Sequence, residues 1–248
     1  MRGWLAAVCF WLSGCWARGP LGPIPVEEFA APRPAAARPL VIVLPGQGDD
    51  IKVMKKAGIA AAIQKGWPEA DVLLAGLTMD YYRDGGAPRR LRDEIVEPAR
   101  RAGRREIWLA GASLGGAGVL AYEHDYPGEA AGLVLFAPFL GGPSWIEKMT
   151  AAGAPKNWAP PVAVPAKLDK DNISAELWRV VKKWSDPAEA RRVWLGCGKK
   201  DRFLPGAKLV APLLPADHFV SPAGGHGWET WGEAASELFA RIRLTRQE

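Results

Sequence analysis
The stretch EIWLAGASLGGAGVLAYEHDY, residues 106–126, divides at Ser113. EIWLAGA is an apolar run of strand length, and LGGAGVLAYEHDY has the length of a helix. The turn between them must be sharp, because Gly111, Ala112, Gly115 and Gly116 around the serine are all small. A strained strand-to-helix turn lifts the Ser113 hydroxyl above a sheet. The helix N-terminus beneath it favours developing negative charge. The G-x-S-x-G pattern alone does not make Ser113 a nucleophile, since a glycine-rich turn can hold a serine for no chemical reason. The rest of the chain has to decide.

Working outward, PLVIVLPG (39–46), DVLLAGL (71–77), AGLVLFAPF (131–139), RVWLGCG (192–198) and DHFVSPAGG (217–225) are further apolar runs. Continuous rather than alternating hydrophobicity indicates strands buried on both faces, and hence a parallel sheet. Helical stretches fall at 53–65, 88–102, 114–126, 173–184 and 229–243. This alternation predicts an α/β fold: a doubly wound, mainly parallel sheet of about six core strands, rather than a barrel. One connection, 141–191, is too long for a plain crossover and contains the proline-rich APKNWAPPVAVPAKL. An insertion of that size is usually functional, and a small helical cap over the site is expected. Inside it, Leu177, Val180, Val181 and Trp184 make one apolar stripe that can face either the sheet or a substrate.

Composition excludes several classes. A chain of 248 residues suits one domain with a large core. Its 48% hydrophobic and 24% charged residues are ordinary globular values. The net charge of +5 comes from scattered Lys and Arg with no aromatic-interleaved basic motif, so no nucleic-acid partner is expected. The cysteines, Cys9, Cys15 and Cys197, form no C-x-x-C pair or Cys/His cluster. No metal site and no cofactor are therefore expected. Cys197 ends an apolar run and reads as a buried small hydrophobe.

The first residues, MRGWLAAVCFWLSGCW, combine a short positive start with an uncharged run that is too short to span a bilayer. LSGC resembles the lipobox of bacterial lipoproteins. The resemblance implies a signal peptide over 1–14, lipidation of Cys15, and a cell-envelope protein held at a membrane by its N-terminus. An ordinary secretory signal, giving a secreted or periplasmic protein, is the alternative. Residues 15–38, rich in Pro and Ala, read as a tether with a short edge element at 24–29. The main domain is expected over 39–248.

Ser113 in its strand–turn–helix setting resembles the nucleophile elbow of the α/β-hydrolase family, and the likeness runs from about residue 39 to 244. A serine needs a base, and there are three histidines. His124 lies eleven residues on in the helix, roughly 16 Å along its axis, and reads as a solvated helix residue. His218 begins the last strand, at the wrong end of the sheet. His226, in PAGGHGWETW, lies just past the carboxyl end of that strand, where ligands gather in open α/β sheets. The family places its base in the same loop. Asp201, in GKKDR past the strand at 192–198, is the expected orienting carboxylate. The order Ser113, Asp201, His226 is the family's own. Asp217 and Asp186 are weaker candidates.

The resemblance also implies two backbone donors for an oxyanion. These are the N–H of Leu114 and, from LPGQGDD, the N–H of Gln47, with Pro45 standing where the family usually has His. Asp49 and Asp50 are expected to cap the following helix. Tyr81, Tyr82, Trp145 and Trp158 are candidate pocket walls. The expected activity is cleavage of small-molecule carboxylic esters through an acyl-enzyme. Thioesterase or serine peptidase action on the same residues is the alternative, as is a binding lipoprotein without catalysis. Nothing in the sequence fixes the oligomeric state.

Overall fold
The computed structural model describes residues 21–33, 35, 38–83 and 85–246. The expected signal segment, Cys15 and the start of the tether lie outside them. The described chain forms one sheet of seven strands: β1 (Val26–Phe29), β2 (Leu40–Leu44), β3 (Asp71–Ala75), β4 (Ile107–Ala112), β5 (Gly132–Phe136), β6 (Val193–Gly196) and β7 (Phe219–Val220). Their order is β1-β3-β2-β4-β5-β6-β7, and all neighbours are parallel except β1, which runs antiparallel to β3. Every residue of β2 through β6 is buried, as continuous apolar runs require of strands covered on both faces.

The helices are α1 (Ile51–Lys56), α2 (Ile59–Gly66), α3 (Met79–Tyr82), α4 (Ala87–Leu91), α5 (Glu97–Arg101), α6 (Leu114–Asp125), α7 (Pro143–Ala151), α8 (Ile173–Lys183), α9 (Pro187–Ala190), α10 (Leu204–Val210) and α11 (Trp228–Thr245). α11 packs along α2 on one side of the sheet, and α4 and α8 flank α6 on the other. Winding reverses between β2 and β4, with β3 on one side of β2 and β4 on the other. That switch point is where open α/β sheets leave a crevice beyond their carboxyl ends.

Three boundaries differ from the sequence reading. The stretch 53–65 is two helices, broken at Gly58 in the left-handed region with φ 72°. The stretch 88–102 holds a π-turn over Arg92–Val96 just before Pro98, which has no N–H for a regular ladder. The sheet also takes in residues before 39, at the short edge element expected over 24–29. Ile24 is buried, and β1 registers Val26 against Ala75 at the sheet edge. β1 reads VEEF and alternates exposed and half-buried, so it lacks the apolar run that marks the inner strands.

The insertion divides. α8 turns its stripe inward: Leu177, Val180, Val181 and Trp184 are buried, and the helix lies against α6 as a layer of the sandwich. α7 instead packs against α10, near the carboxyl ends of β5 and β6.

Candidate active site
Ser113 joins β4 to α6 with φ 53° and ψ −111°, a strained conformation for a residue with a side chain. Hydrogen bonds hold it from both sides. Its N–H donates to the Phe136 carbonyl at 2.8 Å, and its own carbonyl accepts from Phe139 N–H at 2.9 Å. The glycines make the turn sterically possible. A Cβ at Gly111 would strike the backbone of Gly115, and one at Gly115 would strike the Leu44 and Pro45 carbonyls. One at Gly116 would lie 2.8 Å from Pro138 Cβ.

Asp201 and His226 sit on two loops joined by their backbones. Cys197 N–H donates to the Val220 carbonyl at 3.1 Å, Lys199 N–H to Pro222 at 2.9 Å, and Lys200 N–H to Gly224 at 2.8 Å. A Cβ at Gly198 would come within 2.6 Å of the Gly224 oxygen, so glycine is needed for this approach. The result is a continuous chain. His226 Nδ1 lies 2.8 Å and 3.0 Å from the two Asp201 carboxylate oxygens, and His226 Nε2 lies 3.0 Å from Ser113 Oγ. Asp201 also accepts from Phe203 N–H at 2.8 Å and is 5% exposed. An ionised carboxylate only accepts, so the imidazole proton belongs on Nδ1. Nε2 is then left to accept from the serine hydroxyl. The ring is held edge-on by Phe203 at 4.8 Å and by Trp231 at 4.9 Å, two contacts the sequence reading missed. Phe203 follows Asp201 by two residues, a closeness in sequence that could have drawn attention to it.

Leu114 begins α6, where a first-turn N–H has no partner within the helix. Among the described residues neither it nor the Gln47 N–H is engaged in a hydrogen bond. The Gln47 loop is pressed onto the elbow through Leu44, Pro45 and Gly115. Asp50 caps α1, accepting from Val53 N–H at 2.9 Å. Asp49 does not cap. Its carboxylate accepts from Trp228 Nε1–H at 2.9 Å and ties the Gln47 loop to the segment after His226.

A cleft of about 420 Å³ opens beside this group, between the loop after β5, the start of α7 and the loop after β6. The four expected wall residues do not line it. Tyr81 is buried, with its hydroxyl near the Gly22 and Pro23 carbonyls and Arg90 over its ring. Tyr82 turns its hydroxyl onto Gly118 of α6, and burial holds it far above its ordinary pKa. Trp145 and Trp158 pack edge to face at 5.9 Å, with Lys148 over both rings. Large side chains at helical and loop positions here serve packing, which residue type alone does not reveal.

The other histidines stay apart from Ser113. His218 stacks on Trp194 at 3.5 Å and donates from Nδ1 to the Val193 carbonyl, with its pKa lowered by burial. His124 is not solvated as expected: its side chain is 10% exposed and bridges Asp125 and Glu176. Cys197 is buried, and its thiol is pushed up to about 12 by that burial.

The sheet order and its flanking helices are those of the α/β-hydrolase fold, and a serine–histidine–aspartate hydrogen-bond chain lies at the carboxyl ends of its strands. The family model described as serine aminopeptidase, S33, matches residues 91–200, a span that takes in the elbow. No curated protein matches the sequence significantly. Among solved structures the chain is similar to a ferulic acid esterase, with a TM-score of 0.58 at 15% identity, covering 89% of this chain and 99% of that one. It is similar to Est1E from Butyrivibrio proteoclasticus, with a TM-score of 0.56 at 14% identity, covering 90% and 94%. It is also similar to the apo S-formylglutathione hydrolase of Staphylococcus aureus, with a TM-score of 0.55 at 14% identity, covering 90% and 98%.

Proposed function
We propose that this chain hydrolyses carboxylic esters of small molecules by acyl transfer through Ser113. The observation that carries the reading is the unbroken hydrogen-bond chain Asp201–His226–Ser113, ending on a hydroxyl held at a strained elbow. His226 Nε2 takes the hydroxyl proton as Ser113 Oγ bonds to the acyl carbon. Asp201 keeps the imidazole in the required tautomer and stabilises its positive charge. In this reading the N–H groups of Leu114 and Gln47, neither engaged in a hydrogen bond among the described residues, receive the oxyanion. Collapse expels the alcohol, whose oxygen takes the proton from His226 Nε2, and water deprotonated by the regenerated His226 then attacks the acyl-enzyme, releasing the acid and restoring the Ser113 hydroxyl. No metal or cofactor enters this scheme.

Peptidase action is the second reading, because the matching family model describes serine aminopeptidases. An aminopeptidase must hold its substrate's ammonium group. The carboxylate lining the cleft is Glu147, which stands exposed on α7, while the walls are mostly apolar; this favours the ester. A panel of p-nitrophenyl esters against aminoacyl anilides decides between them, with a fluorophosphonate probe to label Ser113. Anilide turnover exceeding ester turnover would overturn the esterase reading. Absence of labelling at Ser113 would point to a binding protein. We further propose that Cys15 carries a lipid, from the LSGC stretch. Palmitate incorporation should be lost in Cys15→Ser.

A further inference from the structure
We propose that the cleft between α7 and the loop after β6 receives the leaving group of the ester, and that it selects an apolar, ring-sized alcohol. This rests on the esterase reading above and extends it to a substrate class. The sheet order gives the first reason. The Gln47 loop leaves β2 on one side of β4, whereas the cleft is built from loops that leave β5 and β6 on the other. An oxyanion held by Gln47 and Leu114 therefore points away from the cleft.

The second reason is proton transfer. In the tetrahedral intermediate His226 Nε2 carries the proton taken from Ser113 Oγ. As the carbon–oxygen bond to the alcohol breaks, that proton must pass to the departing oxygen, so the alcohol lies on the imidazole's side. Phe203, a wall of the cleft, packs edge to face with that same imidazole. Phe139 is the opposite marker: its N–H is bonded to the Ser113 carbonyl, and its ring lies 5.9 Å from that of Phe203. The cleft thus shares one wall, Phe203, with the His226 ring and another, Phe139, with the backbone that holds the Ser113 elbow, and it runs outward from them.

Its chemistry gives the class. Phe139, Leu140, Ile146 and Phe203 offer ring faces and methyl groups, and the charged Glu147 and Arg202 are exposed on the protein surface. A volume of about 420 Å³ falls within the range of small-molecule sites. Aromatic rings at these spacings accept a further ring edge to face.

The test uses the full chain and two substrate series. One keeps the acetyl group and varies the alcohol from ethyl through phenyl to naphthyl. The other keeps one alcohol and lengthens the acyl chain from acetate to hexanoate. Gly142 has φ −71°, and a Cβ there meets nothing within 4 Å, so Gly142→Leu adds bulk at the cleft without backbone strain. In that variant kcat/KM for naphthyl acetate should fall at least tenfold relative to ethyl acetate, the discrimination expected of a few methylenes in an apolar pocket. The penalty along the acyl series should stay constant. Ile146→Ala should shift preference the opposite way, toward the larger alcohols, and 2-naphthol should inhibit Gly142→Leu less than wild type. A penalty that grows with acyl length overturns the leaving-group assignment, and so does an equal effect on every alcohol. Failure of the wild type to turn over any ester sinks the esterase reading itself, a result distinct from either.

Discussion
The two ends of the sheet each bury an aspartate and use it differently. Asp71, at the amino end of β3, is 1% exposed and is held by Arg104, by Arg38 at 3.5 Å and by the Ala31 N–H at 2.6 Å. Asp201, past the carboxyl end of β6, is almost as buried and is held by His226. A guanidinium does not give up its proton, so the pair at the amino end can only hold chain segments together. An imidazole both donates and accepts, so the carboxylate at the carboxyl end can fix which ring nitrogen faces Ser113. The contrast extends along the edges. Arg192, ahead of β6, pairs with Glu123, and Arg92 and Arg100 converge on Glu129 ahead of β5. It holds for histidine too: His218 and His226 bracket the same strand, but His218 meets a tryptophan face and a backbone carbonyl. The partner, rather than the residue type or its burial, separates a purely structural carboxylate or histidine from one in a hydrogen-bond chain to Ser113.

The largest test of this contrast is at the carboxyl end. Ser113→Ala and His226→Ala should each lower turnover of an activated ester by about four to six orders of magnitude, with the double variant little worse. Asp201→Asn should cost on the order of 10⁴-fold, while His218→Phe should stay within about tenfold. Retained activity in His226→Ala would break the assignment of the base. Circular dichroism checks that each variant folds.

At the amino end the effect should appear in stability alone. Asp71→Asn leaves Arg104 without its buried partner, and Arg104 is itself partly exposed. A loss of about 2 kcal/mol is expected in urea unfolding. Turnover per folded molecule should be unchanged. A fall in turnover without a fall in stability would erase the distinction between the two ends.

Asp49 sharpens the comparison, because it is a carboxylate at the carboxyl end that touches no titrating group of the triad. Asp49→Ala frees the Gln47 loop from Trp228. A drop of about 10- to 100-fold in kcat with little change in KM is expected if that loop carries an oxyanion donor. Trp228→Phe, which removes the same hydrogen bond from the other side, should reproduce it. An effect confined to KM would give Asp49 a substrate-contact role instead.

The smallest effect concerns His124, which resembles His226 in having a carboxylate partner but lies away from Ser113. The hydrogen bond to Asp125 is the main cause raising its pKa above the ordinary 6.5. Burial opposes the shift, and the bond to Glu176 adds to it. A raised folded-state value means that its contribution is complete below the unfolded pKa and is lost as pH rises through the folded one. Stability measured against His124→Gln should therefore decline as pH is raised from about 6.5, the ordinary value for histidine. A pH-independent difference would show that the pair does not titrate. Ester turnover should not follow this change.

The inner strands were legible because burial on both faces demands continuous apolar runs, a signal written in each segment separately. Ser113, Asp201 and His226 were legible for a related reason. A parallel sheet places every strand's carboxyl end at one edge, so position along the chain translates into position in space. What failed were inferences from residue type. Tyr81, Tyr82, Trp145 and Trp158 have the size of pocket walls, yet none of them lines the cleft between α7 and the loop after β6. His124 looked solvated because its partner Glu176 is 52 residues away.

The sequence by itself therefore determined the parallel sheet, the elbow around Ser113 and the order of the three site residues, since each depends on local sterics or on strand direction. Only the tertiary structure decided that Phe203 and Trp231 clamp His226 and that Asp49 reaches Trp228, 179 residues away. It also decided that α8 packs against α6 while α7 lines the cleft. Those arrangements depend on which surfaces meet when loops and helices pack together, and close packing is a property of neighbours in space that no single stretch of chain contains.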